Sequence, residues 1–175
     1  FVATVMSNLG LHKYCAAEGV KLCCAAVGDR NVLEMMQKEG MVLGGEQSGH
    51  IIFLEHMTTG DGELSALQLM QILKESGKPL SVLAGAVKRY PQTLKNVPGP
   101  VSNSEKAALI ASSAVQQALR AQTQALGGDG RILLRPSGTE ALIRIMVEAS
   151  TQQKAEAIAE EIAKIVESAQ NSTAK

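Results

Sequence analysis

Apolar and polar positions change period along the chain, and the changes mark the elements. Residues 2–6 (VATVM) are apolar and largely β-branched, which predicts a strand. Asn8 and Gly10 mark a turn, and residues 11–18 (LHKYCAAE) predict a short helix stopped by Gly19. A second strand follows at 20–27 (VKLCCAAV), then a helix at 31–39 (NVLEMMQKE) that Asp29 caps and Gly40 ends. Residues 41–55 (MVLGGEQSGHIIFLE) predict a glycine-rich turn leading into an apolar strand. Asp61 caps a helix over 63–75, whose stop is the SGKP stretch at 76–79. Strands alternating with helices predict an α/β layer with some parallel pairing.

Beyond residue 85 the character changes. Residues 88–101 (KRYPQTLKNVPGPV) carry three of the five prolines and predict an edge strand or an extended linker. A boundary within 80–90 divides the chain into domains 1–85 and 86–175. Ser102 with Glu105 forms a capping-box pattern before one long alanine-rich helix ending at Gly127 and Gly128. Residues 131–149 (RILLRPSGTEALIRIMVEA) predict two strands joined by a polar turn. Ser150 with Gln153 repeats the capping-box pattern before a last helix. Its apolar face is Ala155, Ile158, Ala159, Ile162, Ile165, Val166 and Ala169. The final NSTAK is expected to fray. The order strand, helix, strand, strand, helix predicts an α+β domain, an antiparallel sheet with helices on one face.

Composition narrows the chemistry. Aromatic residues make up only 2% of the chain, so the core is aliphatic and stacking platforms for single-stranded nucleic acid are not expected. Lys plus Arg equals Asp plus Glu, 17 against 17, so no net charge draws in a polyanion or an anionic membrane. No apolar run approaches the roughly 20 residues that cross a bilayer. A cytoplasmic protein, with neither nucleic acid nor membrane as partner, is the expectation. Cys15, Cys23 and Cys24 read as reduced, buried thiols rather than a disulfide or a zinc site. Phe1 in place of methionine, with a strand already under way, reads as a piece of a longer polypeptide.

Two loops carry candidate chemistry. In GGEQSGH, residues 44–50, Gly44, Gly45 and Gly49 permit positive φ and close approach of a ligand. Glu46, Ser48 and His50 supply an acceptor, a hydroxyl and an imidazole. A sugar ring asks for such convergent groups, and a solvated turn before a strand would present the same residues. In RPSGTE, residues 135–140, Arg135 offers a guanidinium fork, Ser137 and Thr139 offer hydroxyls, and Gly138 leaves backbone N–H groups open to an anion. A phosphate cradle and an ordinary proline-initiated turn both fit that pattern.

Taken in order, VATVMSNLGL, VGDR, GGEQSGHIIF, TTGDG and RPSGTE followed by LIRIMVE resemble the α-D-phosphohexomutase family along nearly the whole chain. The resemblance implies most of the third, sugar-recognising domain of four (1–85) and the whole fourth, phosphate-clamping domain (86–175). It implies sugar contacts from Glu46, Ser48 and His50, with Asp29 and Arg30 of VGDR facing the same cleft, and phosphate contacts from Arg135, Ser137, Gly138, Thr139 and Arg144. His50 is a further candidate for assisting proton transfer. Asn31 stands where the family usually has tyrosine, and Ala141 where it usually has proline.

For the intact enzyme the resemblance implies a hexosamine phosphate substrate. Glucosamine 6-phosphate would become glucosamine 1-phosphate by way of a phosphoserine and a 1,6-bisphosphate, as in amino-sugar and cell-wall precursor synthesis. It also implies Mg2+, a glucose- or glucosamine-1,6-bisphosphate activator, N-terminal domains on the same polypeptide, and a homodimer as one assembly open to the intact enzyme. Neither the serine loop nor the aspartate-rich metal loop is in this sequence. Its three aspartates, Asp29, Asp61 and Asp129, are scattered, so no metal ligand or catalytic residue is expected within it. A phosphosugar-binding module without turnover, a phosphomannomutase or phosphoglucomutase relative, and a purely structural domain are the other readings.

Overall fold

The computed structural model describes residues 1–173. They form two compact units, Phe1–Arg89 and a second starting at Tyr90, so the split falls after Arg89 rather than after residue 85.

The first unit is built on a four-stranded mixed sheet. Its strands are β1 (Val2–Thr4), β2 (Cys23–Ala25), β3 (Leu43–Gly45) and β4 (Ile51–Phe53), in the order β2-β1-β3-β4. β1 runs parallel to both of its neighbours, while β4 returns antiparallel to β3. Parallel pairing needs crossovers, supplied by α1 (Leu9–Ala17) and α2 (Asp29–Glu39). Being central, β1 is buried along its length. Val2, Ala25, Val32, Met36 and Ile52 form the core. The α3 helix (Gly62–Ser76) begins as its sequence predicts, with the Asp61 carboxylate accepting from Leu64 N at 2.9 Å.

Several local expectations are corrected. The α2 cap is Gly28 at φ 123, and Asp29 lies inside the first turn with its carboxylate accepting from Arg30 N. The GGEQSGH segment is not a single turn but the end of β3 and a tight return into β4. Of its glycines only Gly49 takes a positive φ, 102°. Gly44 serves packing instead: a Cβ there would stand 2.4 Å from the Met36 sulfur and 2.8 Å from Val32, so α2 could not lie against β3. A short helix, α4 (Leu80–Ala84), occupies a stretch with no predicted element. Of the cysteines only Cys15 is buried; Cys24 is exposed, because β2 is an edge strand with one face uncovered.

Gly10, at the start of α1, makes the tightest approach. A Cβ there would lie 1.9 Å from the backbone oxygen of Lys88, which has no rotamer with which to move away. Gly10→Ala is expected to destabilise the first unit by about 3 kcal/mol. Urea unfolding followed by circular dichroism checks this, and an unchanged midpoint would contradict the packing described.

The second unit is a three-stranded antiparallel sheet, β5 (Gln92–Pro98), β6 (Gly130–Pro136) and β7 (Leu142–Ala149), in the order β5-β7-β6. β5 is an edge strand, a place compatible with Pro98 at its end. Helices α5 (Asn103–Ala111), α6 (Ser113–Leu126) and α7 (Gln152–Thr173) cover one face. The β7 side chains alternate: Ile143, Ile145 and Val147, each 0% exposed, join Leu109, Val115, Ile158 and Ile162 in one core. Each such residue contributes about 1.5 to 3 kcal/mol on burial. The opposite face carries Arg144 and Glu148. The Glu148 carboxylate is fully buried and accepts from Arg131 Nε at 2.6 Å and from Gln92 Nε2 at 2.8 Å, which joins all three strands.

The predicted long helix is two helices. Ser112 has ψ 147°, ends α5 and begins α6, and Gln116 Nε2 donates to the Ile110 carbonyl across the break. Consecutive serines lower the cost of leaving the helix there. The last helix is capped by Thr151, whose Oγ1 accepts from Lys154 N at 3.2 Å, rather than by Ser150. Its predicted apolar face is the buried one. Of NSTAK, the first three residues continue α7, and the last two lie outside the described residues. Among the described residues no helix is long and apolar enough to cross a membrane.

Candidate functional site

In the first unit the parallel strands β1, β2 and β3 all point their carboxyl ends one way. The crossovers from β1 to β2 and from β2 to β3 leave in opposite directions, which opens a crevice between β1 and β3. A cavity of about 250 Å3 lies there, lined by Thr4, Met6, Val27, Glu46, Gln47 and Ser48. Its wall after β1 is held by the Thr4–Ser7 turn, where Ser7 N donates to the Thr4 carbonyl at 2.9 Å.

Glu46 ties two of the motifs together. Its Oε1 accepts from Gly28 N at 2.8 Å, joining GGEQSGH to the VGDR segment, and its side chain is only 8% exposed. The Asn31 side-chain amide donates to the Val27 carbonyl at 2.8 Å and braces the same turn. The second Glu46 oxygen lies 3.7 Å from His50 Nδ1, an ion-pair distance if the imidazole is protonated but too long for a hydrogen bond.

The five candidate sugar residues therefore separate. Glu46 and Ser48 line the cavity, and His50 stands beside Glu46 with its side chain 61% exposed. Asp29 and Arg30 are exposed on α2 and do not line it; Arg30 Nε donates to Glu34 at 2.9 Å along the helix. Thr4, Met6, Val27 and Gln47 went unmarked, since a strand's carboxyl end carries no local pattern that names a ligand.

In the second unit the RPSGTE loop joins β6 to β7, and the register sets Arg135 directly opposite Arg144. Like charges facing each other across strands destabilise a sheet unless an anion lies between them. Burial first, and the Arg144 guanidinium second, push the Arg135 pKa below its usual value, although a guanidinium keeps its proton in a protein. Among the described residues nothing pairs with Arg135, and the buried Arg144 Nε has no acceptor. Arg144 Nη2 reaches the Glu140 carboxylate.

The loop itself is folded from within. Ser137 is 2% exposed, and its Oγ accepts from Glu140 N at 3.2 Å, so its hydroxyl organises the turn. Gly138 and Thr139 are exposed, and among the described residues their N–H groups meet no acceptor. Gly138 does not take a positive φ, and the space around its Cα is open. Lys106 was missed. It is 2% exposed on α5, with Nζ 2.8 Å from the Ser137 carbonyl, 2.7 Å from the Glu140 carbonyl and 3.2 Å from Asn103 Oδ1. A position three residues before the buried Leu109 marks the helix's inner face, which is where the sequence held that information.

The first unit thus carries a crevice at the carboxyl ends of its parallel strands, and the second a loop flanked by two arginines. The chain belongs to the phosphoglucomutase/phosphomannomutase family: the model of its alpha/beta/alpha domain III matches residues 1–90, and that of its C-terminal domain matches 97–165. Among curated relatives, the phosphoglucosamine mutase of Geobacillus kaustophilus is 53% identical over 165 residues, covering 94% of this chain and 36% of that protein. The phosphoglucosamine mutase of Thioalkalivibrio sulfidiphilus is 52% identical over 169 residues, covering 95% and 37%. The chain thus spans little more than a third of these relatives' length. The fold is that of Aspergillus fumigatus N-acetylphosphoglucosamine mutase, with a TM-score of 0.79 at 18% identity over 97% of this chain and 38% of that one.

Proposed function

We propose that this chain is the substrate-gripping part of a phosphoglucosamine mutase, an isomerase interconverting glucosamine 6-phosphate and glucosamine 1-phosphate. The observation that carries the reading is the Arg135–Arg144 pair, two arginines set directly opposite each other across β6 and β7, with the Glu140 carboxylate on Arg144 and exposed residues Gly138 and Thr139 beside them. A phosphate is the anion that suits them: its oxygens accept from both forks and from the Gly138 and Thr139 N–H groups. In the first unit, Glu46 and Ser48 accept from and donate to sugar hydroxyls in the crevice, and His50 assists proton transfer. The intermediate is a 1,6-bisphosphate that presents either end of the sugar to the same groups.

The phosphoryl donor, a phosphoserine, and the metal belong to polypeptide beyond this sequence. A solved Aspergillus fumigatus N-acetylphosphoglucosamine mutase is in complex with GlcNAc-6P and magnesium, and another with glucose 1,6-bisphosphate, which supports Mg2+ and a bisphosphate activator for the intact enzyme. The residues of this chain do not fit the metal. Among the described residues no group of three His, Cys, Asp or Glu side chains could hold an ion, so no step is assigned to a metal on them. A cytoplasmic location and a homodimer in the intact protein belong to the same reading.

The test is a chimera in which this chain replaces the matching segment of the Geobacillus kaustophilus enzyme. Turnover of glucosamine 6-phosphate above that of the same enzyme truncated at the junction is expected. A folded chimera no better than the truncation would contradict the reading. Within that chimera, Glu46→Gln keeps the size and the bond from Gly28 N but loses the charge, and a cost of about 1 to 3 kcal/mol in kcat/KM is expected. Competitive inhibition by inorganic phosphate is expected to be unchanged, since a carboxylate does not favour an anion. Equal losses for sugar phosphate and phosphate would remove Glu46 from the sugar site.

A further inference from the structure

A buried ammonium is costly unless its donors are satisfied and its charge is answered. Lys106 meets the first condition, with three acceptors for three N–H donors. It does not meet the second: all three acceptors are neutral, and among the described residues no carboxylate pairs with it. Two of the three are carbonyls of the phosphate-loop candidate, Ser137 and Glu140. In a trans peptide the C=O of one residue and the N–H of the next point in opposite directions. A Ser137 carbonyl drawn to Lys106 therefore turns the Gly138 N–H away from α5. The Glu140 carbonyl does the same for Ala141. The Gly138 N–H so turned is one of the donors that, among the described residues, no group accepts.

We propose that Lys106 is the positioning residue of the phosphate cradle, aiming the loop's N–H groups at the anion through the Ser137 and Glu140 carbonyls while its own unanswered charge adds to the attraction. The inference rests on the phosphate reading of RPSGTE. It explains why a lysine, rather than a leucine, occupies an inward position of an alanine-rich helix. An apolar residue would fill the space and leave the buried Ser137 carbonyl and the part-buried Glu140 carbonyl without this donor.

The test uses this 175-residue chain, 15N-labelled and titrated with inorganic phosphate, beside K106M. In the unaltered chain the Gly138 and Thr139 amides and the Lys106 side-chain resonances are expected to move along one binding curve. K106M is expected to keep the β6 and β7 amide pattern, to bind phosphate about tenfold more weakly or worse, and to lose the Gly138 shift. A folded K106M with unchanged affinity and an unchanged Gly138 shift overturns the proposal, because a lysine that only fills the core would give that result. Should K106M not fold, the unaltered chain decides: Lys106 resonances that stay still while Gly138 titrates overturn it. No phosphate response at 135–139 in the unaltered chain removes the phosphate reading itself, and the inference with it.

Discussion

Arg135→Ala in the chimeric enzyme is expected to lower kcat/KM for glucosamine 6-phosphate by about 2 to 4 kcal/mol. The size follows from what the substitution removes. A charge-assisted hydrogen bond contributes about 1.5 to 3 kcal/mol. Losing one side of a charge pair also leaves the anion short of a partner in a partly desolvated place. Arg135 has no other employment, since nothing else among the described residues pairs with it. Its removal should relieve the repulsion on Arg144 and leave the fold at least as stable, so the thermal midpoint is expected not to fall. Arg120 is the control: it is exposed on α6, and Arg120→Ala should leave kcat/KM within experimental error. Equal effects of the two substitutions would contradict the assignment of RPSGTE to phosphate.

The second large effect is all or none. The 175-residue chain by itself is expected to show no turnover when given glucosamine 6-phosphate, Mg2+ and a catalytic amount of the 1,6-bisphosphate. Moving a phosphoryl group needs a nucleophile to carry it and positive charge to meet the transferring oxygens. This chain supplies the second only at a loop read as holding a phosphate that does not react. Its described residues bring no three metal-ligating side chains together, and Ser7 and Ser137, the two buried serines, are held in turns of their own loops. Conversion above a buffer control, followed by the appearance of the 1-phosphate, would contradict the assignment of catalysis to other domains.

The sequence was legible where one residue type has one physical use. Asp61 capping α3, the proline-flanked β5 at a sheet edge and the apolar stripe of α7 each follow from local chemistry. It misled where two neighbours could do the same job. Thr151 rather than Ser150 caps α7, and Gly28 rather than Asp29 caps α2, because the turn geometry chose between adjacent residues of similar propensity. The break at Ser112 was hidden inside an alanine-rich run that reads as continuous helix. The candidate site was legible at its loops and illegible beneath them. RPSGTE reads as either an anion cradle or a proline-initiated turn, whereas the Arg135–Arg144 pairing depends on strand register, and Lys106, which donates to the Ser137 carbonyl, lies 31 residues before it in a different element. Likewise the bond from Gly28 N to Glu46 joins two motifs that the sequence shows only as neighbours in a list of polar loops.

The most direct measurement compares two titrations of the labelled 175-residue chain, one with glucosamine 6-phosphate and one with glucosamine. Read as a grip for a sugar phosphate, the chain should answer glucosamine 6-phosphate with saturable amide shifts at Gly138 and Thr139, and Arg135→Ala should abolish them. Glucosamine without the phosphate should leave those two amides where they are. Equal shifts with both ligands, or none at Gly138 and Thr139 with glucosamine 6-phosphate, would contradict the account.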